Sequence, residues 1–178
     1  VCLLRPDGLM DMERNERLRE LAIAYKRRGV VGVDLAGNEA AAPLARYAPL
    51  LRRAKAAGLG VTVHAGEVPG SKDLETALEL GVDRLGHATL LSEKPELLRL
   101  VAERRIPIEV NLTSNLRTSA VKELRSHPAR AWRELGVPLA GSTDDPGVFD
   151  IELNGEYRLL HSELGFGPTE LIAAALQS

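Results

Sequence analysis

Gly60-Val61-Thr62-Val63-His64-Ala65-Gly66-Glu67 is an apolar, β-branched run that closes on an imidazole, a glycine and a carboxylic acid. A run of that kind preceded by Gly58-Leu59-Gly60 reads as a buried strand. The same ending recurs along the chain. Val33-Asp34-Leu35-Ala36-Gly37 ends an apolar run, and His64 follows Gly37 by 27 positions. Arg84-Leu85-Gly86-His87 ends the next unit 23 positions on, Ser114 follows after 27, and Ser142-Thr143-Asp144-Asp145-Pro146 closes the last after 30. A strand with its crossover helix takes roughly 30 residues. The chain therefore reads as a string of βα units, each with a polar residue at the C-terminal end of its strand. In a (β/α)8 barrel those ends share one face, which carries the active site. His64, Glu67, His87, Asp144 and Asp145 are expected to converge there.

Six strands are predicted, near residues 1–5, 30–35, 60–64, 83–86, 106–111 and 137–142. Between them, the composition and the glycine stops predict helices over Met12–Arg28, Pro43–Ala57, Ser71–Leu80 and Ser92–Arg105. A further helix over Ser119–Leu135 is broken at His127-Pro128, because proline removes a helix donor. Asn154–Gly165 and Pro168–Gln177 complete the set. No low-complexity tract or linker divides residues 1–178, which read as a single domain. An eight-stranded barrel usually takes about 250 residues. The chain has 178 and opens inside an apolar run, Val1-Cys2-Leu3-Leu4. It is expected to be an incomplete barrel, part of a larger domain.

The bulk numbers exclude several classes of function. A net charge of −2 gives no attraction to nucleic acid or anionic membranes. Aromatic residues make up 3%, too few for a base-stacking platform. No apolar run reaches the roughly 20 residues needed to span a bilayer. The single cysteine, Cys2, cannot form an internal disulfide, so a reducing, cytoplasmic compartment is expected. Cys2 itself reads as a core residue of the first strand, Trp132 as helix packing, and His127 as a surface residue ahead of a proline. His161, on a late helix, is not expected to be a ligand.

Two histidines and paired carboxylates at strand ends are the groups that hold a metal, activate water and protonate a substrate. Adjacent like charges such as Asp144-Asp145 are costly without a cation or polar ligand nearby. The stretches Gly32-Val33-Asp34-Leu35-Ala36-Gly37-Asn38-Glu39, Val63-His64-Ala65-Gly66-Glu67, Arg84-Leu85-Gly86-His87, Leu112-Thr113-Ser114-Asn115 and Ser142-Thr143-Asp144-Asp145-Pro146 together resemble the adenosine deaminase family, within the metal-dependent amidohydrolases. The order and spacing are the family's across nearly the whole chain, which implies an α/β fold corresponding to strands three to eight of a TIM barrel.

The resemblance also implies roles. His64 is similar to the zinc-ligating histidine of the fifth barrel strand, and Asp144 to the zinc-ligating aspartate of the eighth. Glu67 resembles the acid that protonates N1 of the purine, and His87 the histidine that orients the attacking water. Asp145 resembles the carboxylate that meets N7, and Gly37 the glycine whose amide meets N3. The implied activity is zinc-dependent hydrolytic deamination of adenosine or a related 6-aminopurine, giving the 6-oxopurine and ammonia. The implied partner is a purine nucleoside or similar small molecule, and the parent enzyme a monomer or small homo-oligomer. The family's His-x-His pair, which supplies two more zinc ligands from a first strand, has no counterpart in these residues. Asn38 and Asn111 stand where aspartate and cysteine are common, and Ala88 where glycine is. The competing expectation is a catalytically inactive barrel fragment that acts, if at all, through a partner.

Overall fold

The computed structural model describes residues 1–6 and 11–178. By its contacts the chain divides into two compact units, Val1–Ala88 and Thr89–Ser178.

The first unit is built on four strands, β1 (Cys2–Leu4), β2 (Gly32–Ala36), β3 (Gly60–Ala65) and β4 (Arg84–His87). Each lies parallel to the next in sequence. The register aligns Leu3, Leu35, Val63 and Leu85 in one row across the four strands, and all four are fully buried. Apolar β-branched and leucine side chains covered by helices are what a parallel sheet requires. The opposite face carries Cys2, Asp34 and Thr62 in one row and His64 beside Gly86 in the next. Alternation along a strand thus corrects one expectation. Leu3 takes the core position, and Cys2 is exposed on the polar row.

Three helices follow β1, β2 and β3: α1 (Met12–Ala24), α2 (Ala48–Ala56) and α3 (Asp73–Leu80). Asp11 starts α1 by accepting from the Arg14 amide at 2.8 Å. One turn later the buried Asn15 bonds both the amide and the carbonyl of Leu4, at 3.0 and 2.7 Å. Its side chain substitutes for a neighbouring strand at the end of β1. Lys72 holds the N-cap position of α3, while Ser71 accepts from the Asp73 amide one residue further in.

The second unit holds β5 (Ile108–Val110) and β6 (Leu139–Gly141), again parallel. Around them run α4 (Pro95–Glu103), α5 (Leu112–Arg117), α6 (Ala129–Glu134), α7 (Pro146–Phe149), α8 (Leu153–Leu164) and α9 (Pro168–Gln177). The helix expected over 119–135 is shorter than predicted. Only Ala129–Glu134 is α-helical, and α5 forms ahead of it in a stretch read as strand end. The buried Glu156 of α8 accepts from both the amide and the hydroxyl of Thr113, fastening α8 to the first turn of α5. Trp132 is fully buried, as packing required. No described helix is long and apolar enough to cross a membrane.

His127 overturns its surface assignment, being only 2% exposed. Its Nδ1 accepts from the Ala129 amide at 3.1 Å, so the proton lies on Nε2, which faces Oδ1 of Asn115 at 3.1 Å. The imidazole caps α6 and ties it to α5, roles that need the neutral ring. Burial pushes its pKa from 6.5 down to about 4. The unfolded chain therefore takes up this proton first as pH falls. Stability conferred by neutral His127 is intact above pH 6.5 and is lost progressively between 6.5 and about 4. The loss should approach roughly 3 kcal/mol, from about 1.4 kcal/mol per pH unit. Urea midpoints at pH 7 and pH 4.5 test this: wild type should lose more stability between them than His127→Gln, and equal losses would refute it.

Candidate active site

In the first unit the site residues stand at the C-terminal ends of adjacent parallel strands. His64 is the penultimate residue of β3, His87 the last of β4, and Gly37 directly follows β2. Gly66 has a φ of +85°, which turns the chain sharply after β3 and brings Glu67 back over the strand end. Any Cβ at that position would lie 2.8 Å from Leu74, so the tight turn and the packing of α3 both require glycine. Gly86 solves a different problem. A Cβ there would be 2.7 Å from Cδ2 of His64, so its absence makes the space that the imidazole fills. Gly37, at φ +95°, passes over the backbone and Cβ of Arg5.

Four side chains then form a line. Oδ2 of Asp34 is 3.2 Å from Nε2 of His64. Nδ1 of His64 is 3.1 Å from Nε2 of His87, whose ring meets it edge-on. Nδ1 of His87 is 3.4 Å from Oε1 of Glu67. A carboxylate only accepts, so an ionised Asp34 takes the proton of His64 Nε2. The remaining nitrogen of a neutral His64 accepts from His87, and a neutral His87 then presents a lone pair towards Glu67. In that state a protonated Glu67 is the complementary partner. The Glu67 amide is held at 2.8 Å by the buried carboxylate of Glu39.

Beneath the line lies a buried ion pair. Nη2 of Arg5 bonds Oδ2 of Asp73 at 2.7 Å and the carbonyl of His64 at 3.1 Å. Oδ1 of Asp73 accepts from the Leu44 amide at 2.9 Å. Both side chains are essentially fully buried. Breaking one partner of such a pair leaves an uncompensated charge in the core.

The second unit holds the remaining two candidates. Asp144 lies three residues beyond β6, with φ +60°, a region rarely occupied by residues other than glycine. Its Oδ2 accepts from the hydroxyl of the buried Ser114 at 2.7 Å, and its amide faces the hydroxyl of Ser142 at 3.3 Å. Asp145 takes the N-cap position of α7 and is exposed. A groove of about 540 Å³ in this unit, lined by Thr89, Lys122, Arg125 and His127 among others, contains none of the candidate residues. His161, as expected, serves structure: its Nδ1 lies 2.8 Å from the Phe166 carbonyl.

Imidazole nitrogens and carboxylate oxygens are the donor set that zinc accepts. In the first unit, Oδ1 of Asp34 is also buried without a hydrogen-bond partner, an orphaned acceptor beside a histidine. The residues present therefore fit a divalent metal. Sequence reading assigned no part to Arg5, Asp34, Glu39 or Asp73. The signal for Asp34 was a carboxylate inside an otherwise apolar strand. For Arg5 and Asp73, 59 or more residues from the groups they brace in one case and 68 apart from each other, no local signal exists.

Comparison with known proteins gives a consistent picture. The family model described as adenosine deaminase matches residues 1–178. The adenosine deaminase of Shewanella loihica is 40% identical over 153 residues, covering 85% of this chain and 46% of that protein. The chain thus spans about half the length of the curated relatives it matches. Among solved structures, an Arabidopsis N6-mAMP deaminase superposes with a TM-score of 0.88 at 32% identity, over 99% of this chain and 52% of that one. A related Arabidopsis structure, at TM-score 0.87 and 32% identity, is complexed with IMP and covers 99% of this chain and 50% of that one. An amidohydrolase from Burkholderia ambifaria with bound Zn gives 0.83 at 28% identity, over 99% and 49%. The six parallel strands with flanking helices match part of a (β/α)8 barrel, as predicted.

Replacing Asp73 by Ala strands the Arg5 guanidinium. Unfolding in urea should show a loss of about 3–5 kcal/mol. A loss below about 1 kcal/mol, the range of exposed pairs, would mean that the ion pair does not brace this unit.

Proposed function

We propose that this chain, which belongs to the adenosine deaminase family, carries most of the reacting groups of a hydrolytic deaminase acting on adenosine or a closely related 6-aminopurine. The products are the 6-oxopurine and ammonia. The observation that carries the reading is the line from Asp34 through His64 and His87 to Glu67. It sets two imidazoles between two carboxyl groups at the strand ends that bear the family motifs.

His64 and Asp144 are proposed as zinc ligands, each through one side-chain atom. Zinc, when bound, supplies Lewis acidity and makes water nucleophilic near neutral pH, the pKa falling to about 7. The residues of this chain do the rest. Glu67 donates its proton to N1 of the purine, which lets the ring accept a nucleophile at C6. His87 orients the attacking water and receives its proton, since its ring lies between His64 and Glu67. Asp145 accepts a hydrogen bond at N7 when that nitrogen is protonated, and the Gly37 amide donates to N3. The proton held by His87 passes to the 6-amino group, which leaves C6 as ammonia, while the 6-hydroxyl proton returns to Glu67 as the C6 carbonyl forms. The relatives' own names, adenosine deaminase and N6-mAMP deaminase, support a purine with a 6-amino or substituted 6-amino group. The neighbour complexed with IMP supports a 6-oxopurine product.

Deamination is read directly from the fall in ultraviolet absorbance as adenosine becomes inosine. Joined to a strand that supplies the family's His-x-His pair, the zinc-loaded protein should turn over adenosine or N6-methyl-AMP, and failure on both would defeat the proposal. Glu67→Gln keeps the shape but loses the proton, so turnover should fall on the order of 10²–10⁴-fold with metal content unchanged. Asp144→Ala should lose metal and activity together. A Glu67→Gln variant as active as wild type would remove Glu67 from the chemistry.

A further inference from the structure

Asp34 stands at the head of the line above without contact to the substrate, yet its surroundings are those of a group with a partner still to meet. It sits in the middle of β2, on the same face as Thr62 and His64. Its neighbours along the strand, Val33 and Leu35, are buried in the core. A carboxylate retained only for folding would use both oxygens. Here Oδ2 faces His64 Nε2 at 3.2 Å, while Oδ1 is buried and bonds nothing among the described residues. Leaving a buried acceptor unsatisfied costs on the order of 1–3 kcal/mol.

The choice of nitrogen is informative. A carboxylate that merely orients a metal-binding histidine sits on the ring nitrogen that the metal does not use. In His64 the two nitrogens are already divided, Nδ1 towards His87 and Nε2 towards Asp34. With His87 on Nδ1, the nitrogen open to a metal is the one that Asp34 faces. Two ligand atoms, each about 2.0–2.1 Å from a tetrahedral zinc, are about 3.3 Å apart. The 3.2 Å between Oδ2 and Nε2 therefore suits a shared proton and a shared cation equally.

We propose that Asp34 is a metal-directed residue, its carboxylate flanking, together with His64 Nε2, the cation that takes the place of the proton between them. The inference rests on the metal reading of His64 given above, and it adds a contact to the cation that the family motifs do not assign. Asp34 would raise the affinity of the site by contributing negative charge next to the ion.

Zinc affinity, measured by competition with a chromogenic chelator on the purified protein after stripping, separates the possibilities. Asp34→Asn, which is isosteric, should bind zinc 10–100-fold more weakly than wild type. Its thermal unfolding in the metal-free state should be unchanged. The cobalt-substituted protein gives a second readout. The visible absorption band of bound Co2+ should shift in Asp34→Asn and also in Asp34→Glu, which keeps the charge but moves both oxygens. It should not shift in Asp83→Asn, on a surface pair elsewhere in the unit. If Asp34→Asn retains wild-type affinity and an unshifted cobalt band while His64→Ala loses metal, the inference about Asp34 is wrong and the metal reading stands. If His64→Ala binds zinc as well as wild type does, the metal reading itself fails, and Asp34 falls with it.

Discussion

One guanidinium nitrogen holds the first unit in register. Nη2 of Arg5, just after β1, reaches across β2 to the carbonyl of His64 on β3, and also pairs with Asp73 at the start of α3. Asp73 passes the connection on to the Leu44 amide ahead of α2. A parallel sheet has no tight turns to set the relative height of its strands, so something must fix where each one ends. Here a charge pair with almost no access to water does so. Opposite charges attract strongly in a dry interior, and separating them there would leave each uncompensated. The height of His64, and with it the spacing to Asp34 and His87, depends on that anchor.

The second unit reaches a similar end by other means. Glu156 pins α8 to the first turn of α5, and His127 pins α6 to the same helix through Asn115. Ser114, between those two attachment points, is buried and bonded to Asp144. A hydroxyl so constrained can select one orientation of a carboxylate that would otherwise rotate freely at a strand end. His64, Glu67 and Asp144 keep partial exposure, while His87 and the Arg5, Asp73 and Ser114 side chains that brace these strand ends are buried.

What could be read from the sequence follows from the range of the interactions. The six strands and the ends that bear His64, His87 and Asp144 were legible, because strand patterning and the βα period are local properties repeated along the chain. The resemblance to a family gave the identities of the polar residues at those ends. Helix α5 was not legible, because Leu112-Thr113-Ser114-Asn115 has poor helix formers and is held by Glu156, more than 40 residues away. His127 was misplaced because a histidine before a proline looks like a surface turn unless its two partners are known. Cys2 was misplaced because a three-residue strand gives too little pattern to tell its faces apart. The Arg5–Asp73 pair had no sequence signature at all, since its meaning lies in the distance between two residues that only the fold brings together.

The turn that presents His87 carries a consequence of another kind. His87 and Ala88 both have positive φ, at 62° and 52°. The Ala88 amide bonds back to the Gly86 carbonyl at 2.8 Å and also reaches the Ala65 carbonyl at 3.1 Å. A three-residue turn with positive φ at its centre is the strained form of the γ-turn, and a left-handed conformation costs a residue with a Cβ roughly 1–2 kcal/mol. Selection for stability alone would place glycine at both positions. At 88 that relief is compatible with the chemistry, whereas at 87 it would delete the imidazole. The protein is thus frustrated at one point: a consensus built to maximise thermal tolerance would relax the end of β4 and, in taking the last step, lose the imidazole that meets both His64 and Glu67.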